Sequence, residues 1–139
     1  MAAIVPIGLA TLLGLLAALH VYWAAGGGRG LRAAVPEVGG SAVFRPSRLA
    51  SLGVATGLVG AALVALSRGG LVVPADGGSL AHWAAISLSL AFFIRALGDF
   101  RLVGFTKRIR GTQFAEWDDR LFSPLCLLMG FGFLFVATR

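Results

Sequence analysis

Charged residues divide this chain into long uncharged runs. Residues 2–28 carry no Asp, Glu, Lys or Arg, and the same holds for 49–67, 69–75, 77–94, 102–106 and 121–138. Four of these runs reach about 18 residues or more, which as helix, at about 1.5 Å rise per residue, matches the roughly 30 Å hydrocarbon core of a bilayer. The pattern predicts four transmembrane helices, at about 3–24, 48–67, 79–98 and 120–138. Each has to be helical, because lipid offers no partner to an open backbone N–H or C=O. The first run has no basic segment before it and is longer than a signal-peptide core, so it reads as a span. The expected fold class is all-α: a polytopic membrane protein, an antiparallel four-helix transmembrane bundle forming one domain over 1–139, with basic loops at 25–47 and 99–119.

Composition agrees with lipid as the solvent. The chain is 58% hydrophobic and 13% charged, about half the charged fraction of a soluble domain. The net charge of +6 is concentrated in two connections. Arg29, Arg32, Arg45 and Arg48 follow the first span; Arg101, Lys107, Arg108, Arg110 and Arg120 follow the third; Arg68 and Arg139 stand on the other side. The positive-inside rule then places both basic loops in the cytoplasm and both termini outside. Such loops are attracted to anionic headgroups, so the expected partner is the lipid bilayer and not a nucleic acid, for which there is no motif.

The loops differ in kind. The stretch AAGGGRGLRAAVPEVGGSAVFRP reads as an irregular connection broken by Pro36 and Pro46, with Ser47 opening the second span. RGGLVVPADGG reads as a short turn. Phe114, Trp117 and Leu121 recur with helical spacing, which predicts a short amphipathic segment at the membrane surface, capped by Thr112. Pro124 fits two arrangements, the first turn of the last helix with Ser123 as its cap, or the interior of a longer, kinked helix. Gly53, Gly57, Gly60, Gly130 and Gly132 predict close backbone approach, chiefly within the bundle; a homo-oligomer is the alternative use of the Gly53–Gly57 pair.

Candidate chemistry collects at one end. His20, Tyr22 and Trp23 close the first span; Arg95, Asp99 and Arg101 close the third; Asp118, Asp119 and Arg120 precede the fourth. Arg95 and Asp99 are i, i+4 partners if the helix continues through Gly98, and such a pair lowers the cost of an arginine at membrane depth. Arg95 fits a structural helix end, a polar pocket between helices or a headgroup clamp. Asp118 and Asp119 fit helix N-terminal charges, or partners for Arg101 or Arg95. His82 falls at the opposite end from His20, so no metal site is expected. Cys126 reads as a small buried hydrophobe, and no cofactor is expected.

LHVYWAAGG, then AVP, then RALGDFRLVGFTKRIRGTQFAEWDDRLFSPLCLLMG resemble a family of small four-helix bacterial integral membrane proteins known only as a domain of unknown function. The Gly98-Asp99-Phe100-Arg101, Phe114-Ala115 and Ser123-Pro124-Leu125-Cys126 elements carry the resemblance, which covers nearly the whole chain. Phe105-Thr106-Lys107 departs from the Phe-Phe-Lys frequent in such chains. The resemblance implies a bacterial membrane protein, with the plasma (inner) membrane as its expected location, and no activity.

The functional expectation is a membrane protein that binds a lipid, small amphiphile or partner at a cytoplasmic polar cluster of Arg95, Asp99, Arg101 and Asp118, with His20 and Trp23 at its rim. The alternatives are a small enzyme using Asp99 or Asp118 as acid or base, and an oligomeric channel or transporter subunit.

Overall fold

The computed structural model describes residues 3–72 and 78–139, so the centre of the short turn between the second and third spans lies outside the described residues. Helix α1 runs Ile4–Ala24 and is followed by the single turn α2, Leu31–Ala34. Two-residue strands β1, Glu37–Val38, and β2, Ser41–Ala42, then pair antiparallel, with Glu37 opposite Ala42 and Val38 opposite Ser41. Gly39 and Gly40 join them with φ of 59° and 80°, the left-handed pair that a two-residue hairpin turn requires. The connection read as irregular is therefore ordered. Ser47 opens α3, Arg48–Arg68, by accepting Ala50 N–H at 3.0 Å.

Helix α4, Gly78–Leu97, is the third span, and α5, Gln113–Trp117, is capped by Thr112 Oγ1, which accepts Ala115 N–H at 3.1 Å. A π-helical turn, Asp118–Phe122, joins α5 to α6, Ser123–Ala137, so that one apolar helix of 25 residues runs from Gln113 to Ala137. The last helix thus begins seven residues earlier than the run of apolar residues predicts. Pro124 lies inside it. Proline has no N–H to give to the carbonyl of Arg120, and its ring crowds that carbonyl. The backbone widens there, with Ser123 N–H donating to Asp118 O, a π-type bond. Ser123 is buried with its hydroxyl unpartnered, so it is not a cap. The amphipathic surface segment is corrected with it: Phe114 is buried beside Phe122, while Trp117 and Leu121 are exposed on the outer face of the same helix.

The four long helices are each apolar and long enough to cross a membrane. They pack as two antiparallel pairs, α1 on α3 and α4 on α6, with lighter contacts between the pairs. Leu9, Leu13, Ala61, Ala65, Ala85, Met129, Phe133 and Val136 form the core, where Phe92 stacks on Phe133 at 5.8 Å. Ser89 Oγ donates to Gly130 O at 2.8 Å across the α4–α6 seam. Gly130 and Gly132 do permit close approach: a Cβ there would stand 2.7 Å from the Phe93 ring and 2.8 Å from Leu9. Gly53, Gly57 and Gly60 do not, since nothing lies within 4 Å of a Cβ at any of them. Large side chains such as Leu49 (81% exposed) and Leu80 (82%) point outward; so much exposed apolar surface is costly in water and ordinary in lipid. The fold is that of a multi-pass membrane protein.

One end of the bundle gathers Ala24, Arg48, Leu97 and Gln113, the other Ile4, Arg68, Gly78 and Ala137. At the second end Arg68 donates to Val136 O (3.2 Å), Ala137 O (3.1 Å) and Arg139 O, and His82 Nδ1 lies 3.0 Å from Ala137 O. These side chains satisfy the last carbonyls of α6, which its helical bonds leave open. His82 is structural and remote from His20.

Candidate functional site at the basic end

The first end carries ten of the chain's twelve Lys and Arg residues. Its geometry starts at Gly98, whose φ of 99° ends α4. Asp99 therefore leaves the helical face it would share with Arg95, and the expected Arg95–Asp99 pair does not form. Instead Asp99 Oδ1 accepts the backbone N–H groups of Arg101 (2.9 Å), Leu102 (2.6 Å) and Val103 (2.9 Å). The Val103 N–H foremost, with those of Arg101 and Leu102, holds its carboxyl below the usual carboxylate range. The chain then crosses back over the helix end. Phe105 N–H reaches Ala96 O at 2.9 Å, and Thr106 reaches Leu97 O through both N–H (3.1 Å) and Oγ1 (2.7 Å). Gly98 and Gly104 touch at this crossing. A Cβ at Gly98 would stand 1.8 Å from Val103 O, and one at Gly104 would stand 2.4 Å from Gly98 Cα.

The crossing delivers two groups to Asp118, whose side chain is wholly buried. Oδ2 accepts Gly104 N–H at 2.8 Å and Lys107 Nζ at 3.1 Å; Oδ1 accepts Arg95 Nη2 at 2.9 Å. Lys107 is equally buried, and its ammonium also donates to Gly104 O at 3.0 Å and to Asp119 Oδ1. Arg110 closes the outer side, donating to Asp119 Oδ2 at 3.0 Å and Phe105 O at 3.2 Å. The charges alternate along the chain Arg95, Asp118, Lys107, Asp119, Arg110. Two buried charges are tolerable only when the hydrogen-bonding capacity of both is met, and here both oxygens of Asp118 and three donors of Lys107 are used.

Of the residues expected at this site, Arg95 and Asp118 come together. Arg101 is exposed and contributes its backbone, its carbonyl accepting Arg108 N–H and Ile109 N–H. His20 and Trp23 meet edge-on at 4.9 Å at the end of α1, where Trp23 Nε1 donates to Arg29 O at 2.9 Å; no hydrogen bond or ion pair joins them to Asp118 among the described residues. Lys107 is the member that sequence reasoning missed. The signal for it was indirect: two adjacent aspartates, Asp118 and Asp119, entering an apolar helix need cations.

A separate cleft of about 680 Å³ opens in the connection between α1 and α3, lined among others by Arg32, Glu37, Phe44 and Arg45. α2 packs on α5, and Val35 and Pro36, which follow α2, are buried.

Fold and basic end together define a small four-helix membrane protein with an internally neutralised carboxylate cluster beneath a cationic surface. The chain belongs to the family described as protein of unknown function (DUF3995), whose model matches residues 13–133. No curated protein and no solved structure matches it.

Proposed function

We propose that the protein is a non-enzymatic binder that holds a phosphate-bearing amphiphile at its basic end. The observation that carries this reading is the unequal use of charge there. Asp118 has three donors on its two oxygens, Asp119 has two cations, and Asp99 has three backbone N–H groups. A general base needs a free lone pair within reach of substrate. Asp118 and Asp119 commit both oxygens to the fold, and Asp99, whose Oδ2 is unpartnered among the described residues, is held in its charged form by three N–H groups on Oδ1 and is a weak base. The cations are left over: Arg29, Arg32, Arg45 and Arg101 are exposed without an ion pair among the described residues, and one buried nitrogen of Arg95, Nη1, has no hydrogen-bond partner. Guanidinium groups at the end of a membrane span match lipid phosphates in charge and in geometry. Arg95 and Arg101 supply the contacts nearest α4, and Trp23 and His20 stand at the same level on α1. Asp99 and Asp118 hold the loop that presents them.

In this reading the basic end faces the cytoplasm of a bacterial cell and both termini lie outside, as the positive-inside rule directs. The test is thermal unfolding of the purified protein in a neutral detergent. A ligand that binds only the folded state at about 100 times its Kd stabilises by about 2.7 kcal/mol. Added phospholipid is expected to raise the midpoint and diacylglycerol of the same chains to leave it unmoved; equal effects of the two, or none from either, would contradict the proposal.

A further inference from the structure

The cleft between α2 and the β1–β2 hairpin brings three charges to one surface without pairing them. Arg32, Arg45 and Glu37 all line it, and none is in an ion pair or side-chain hydrogen bond among the described residues. At the buried cluster of the same end Asp118 and Asp119 take Arg95, Lys107 and Arg110; the cleft charges have no such arrangement, although they line one space. Two unpaired cations and one unpaired anion around a space of about 680 Å³ are complementary to a ligand carrying the opposite set, an anionic group and an ammonium.

Position says what kind of molecule brings them. The cleft is built from residues of the connection between Ala24, the last residue of α1, and Arg48, the first of α3, so it sits where two apolar spans end. Its wall includes Leu31, Val35 and Phe44, and Phe44 with the adjacent Val43 is about half exposed. An apolar rim beside arginines at the end of a span is suited to the boundary between acyl chains and headgroups. We infer that this cleft is a headgroup site for an amine-bearing phospholipid, with Arg32 and Arg45 holding the phosphate and Glu37 the primary ammonium. The inference rests on the proposed lipid-binding function and adds to it the site and the headgroup class. A quaternary ammonium keeps the charge but has no N–H for Glu37, and a glycerol headgroup has no cation at all.

The test is native mass spectrometry of the full chain in neutral detergent, with added phosphatidylethanolamine, phosphatidylcholine or phosphatidylglycerol of identical acyl chains. The ethanolamine lipid is expected to be retained about fivefold or more over the other two. Glu37→Leu, which removes both the charge and the acceptor, should abolish that preference while lipid is still retained. Arg32→Gln with Arg45→Gln should lower retention of the ethanolamine lipid about thirtyfold, because each basic group near an anionic head contributes about fivefold and the two multiply. Arg108→Gln with Arg120→Gln, exposed cations of the same end outside the cleft, should change it less than twofold. Equal retention of the three lipids by the unaltered protein, or equal losses in the two arginine pairs, overturns the cleft assignment and leaves the lipid-binding reading standing. Retention of no phospholipid by the unaltered protein overturns both. Full displacement of lipid by millimolar inorganic phosphate would make the occupant a soluble anion and overturn the assignment.

Discussion

Lys107 Nζ lies 3.1 Å from Asp118 Oδ2, and both side chains are completely buried. One residue comes from the return of a loop and the other from the π-helical turn of the last helix, so the pair ties the connection after α4 to the last span. Removing one member of such a pair leaves an uncompensated charge, at a cost of about 3–5 kcal/mol. Lys107→Met should therefore destabilise strongly, and Asp118→Leu more so, because Arg95, Lys107 and Gly104 N–H would all lose their acceptor. The double variant should recover part of the loss. Thermal melts of the four proteins in one detergent form the cycle; additive losses would mean that the two residues do not act as a unit.

The contact of Gly98 with Gly104 makes a second prediction. Both have φ in the left-handed range, 99° and 81°, and a Cβ on either would enter backbone atoms. Gly98→Ala should cost at least about 2 kcal/mol from strain and collision together. Gly57→Ala, on the outer face of α3 with nothing within 4 Å of the new methyl, should be neutral or stabilising by about 0.5–1 kcal/mol. Chemical or thermal unfolding distinguishes the two, and equal effects would mean that the crossing is looser than it stands.

Asp99 gives the loop a pH dependence of known sign. Its carboxyl titrates below the usual carboxylate range because the Val103, Arg101 and Leu102 N–H groups favour the charged form. A depressed folded-state value means the contribution is fully present above the unfolded value, about 3.9, and is lost as pH falls through the folded one. Amide hydrogen exchange at Arg101, Leu102 and Val103, corrected for its intrinsic rate, should be constant from pH 7 to 5 and accelerate only below about 4. Asp99→Ala should show the accelerated rates at neutral pH. Loss of protection near pH 6 in the unaltered protein would assign the effect to another group.

Ser89 Oγ donates to Gly130 O at 2.8 Å inside the bundle. Hydrogen bonds between membrane helices contribute about 0.6 kcal/mol, with a maximum near 1.7. Ser89→Ala should fall in that range in the same melts, well short of the Lys107→Met effect.

The four spans were legible because lipid imposes length and apolarity on each helix independently of its neighbours. Three of them start and end within a residue of the predicted spans. The fourth does not, because Glu116, Asp118 and Asp119 read as a surface segment, and only the return of Lys107 and the reach of Arg95 make Asp118 an interior residue. Lys107 itself was illegible for the same reason: nothing in Thr106-Lys107-Arg108 separates a buried lysine from a solvated one. The i, i+4 argument paired Arg95 with Asp99, and it failed at Gly98, where a left-handed glycine ended the helix between them. Local spacing found the right arginine and the right end of the bundle. The partner depended on tertiary crossing.

The central claim is that the basic end holds phospholipid. Native mass spectrometry of the protein extracted from its membrane in neutral detergent measures it most directly. The account predicts a protein peak accompanied by at least one phospholipid mass that persists as collisional energy strips the micelle. A bare protein at every energy, with no lipid adduct after phospholipid is added back, would contradict it.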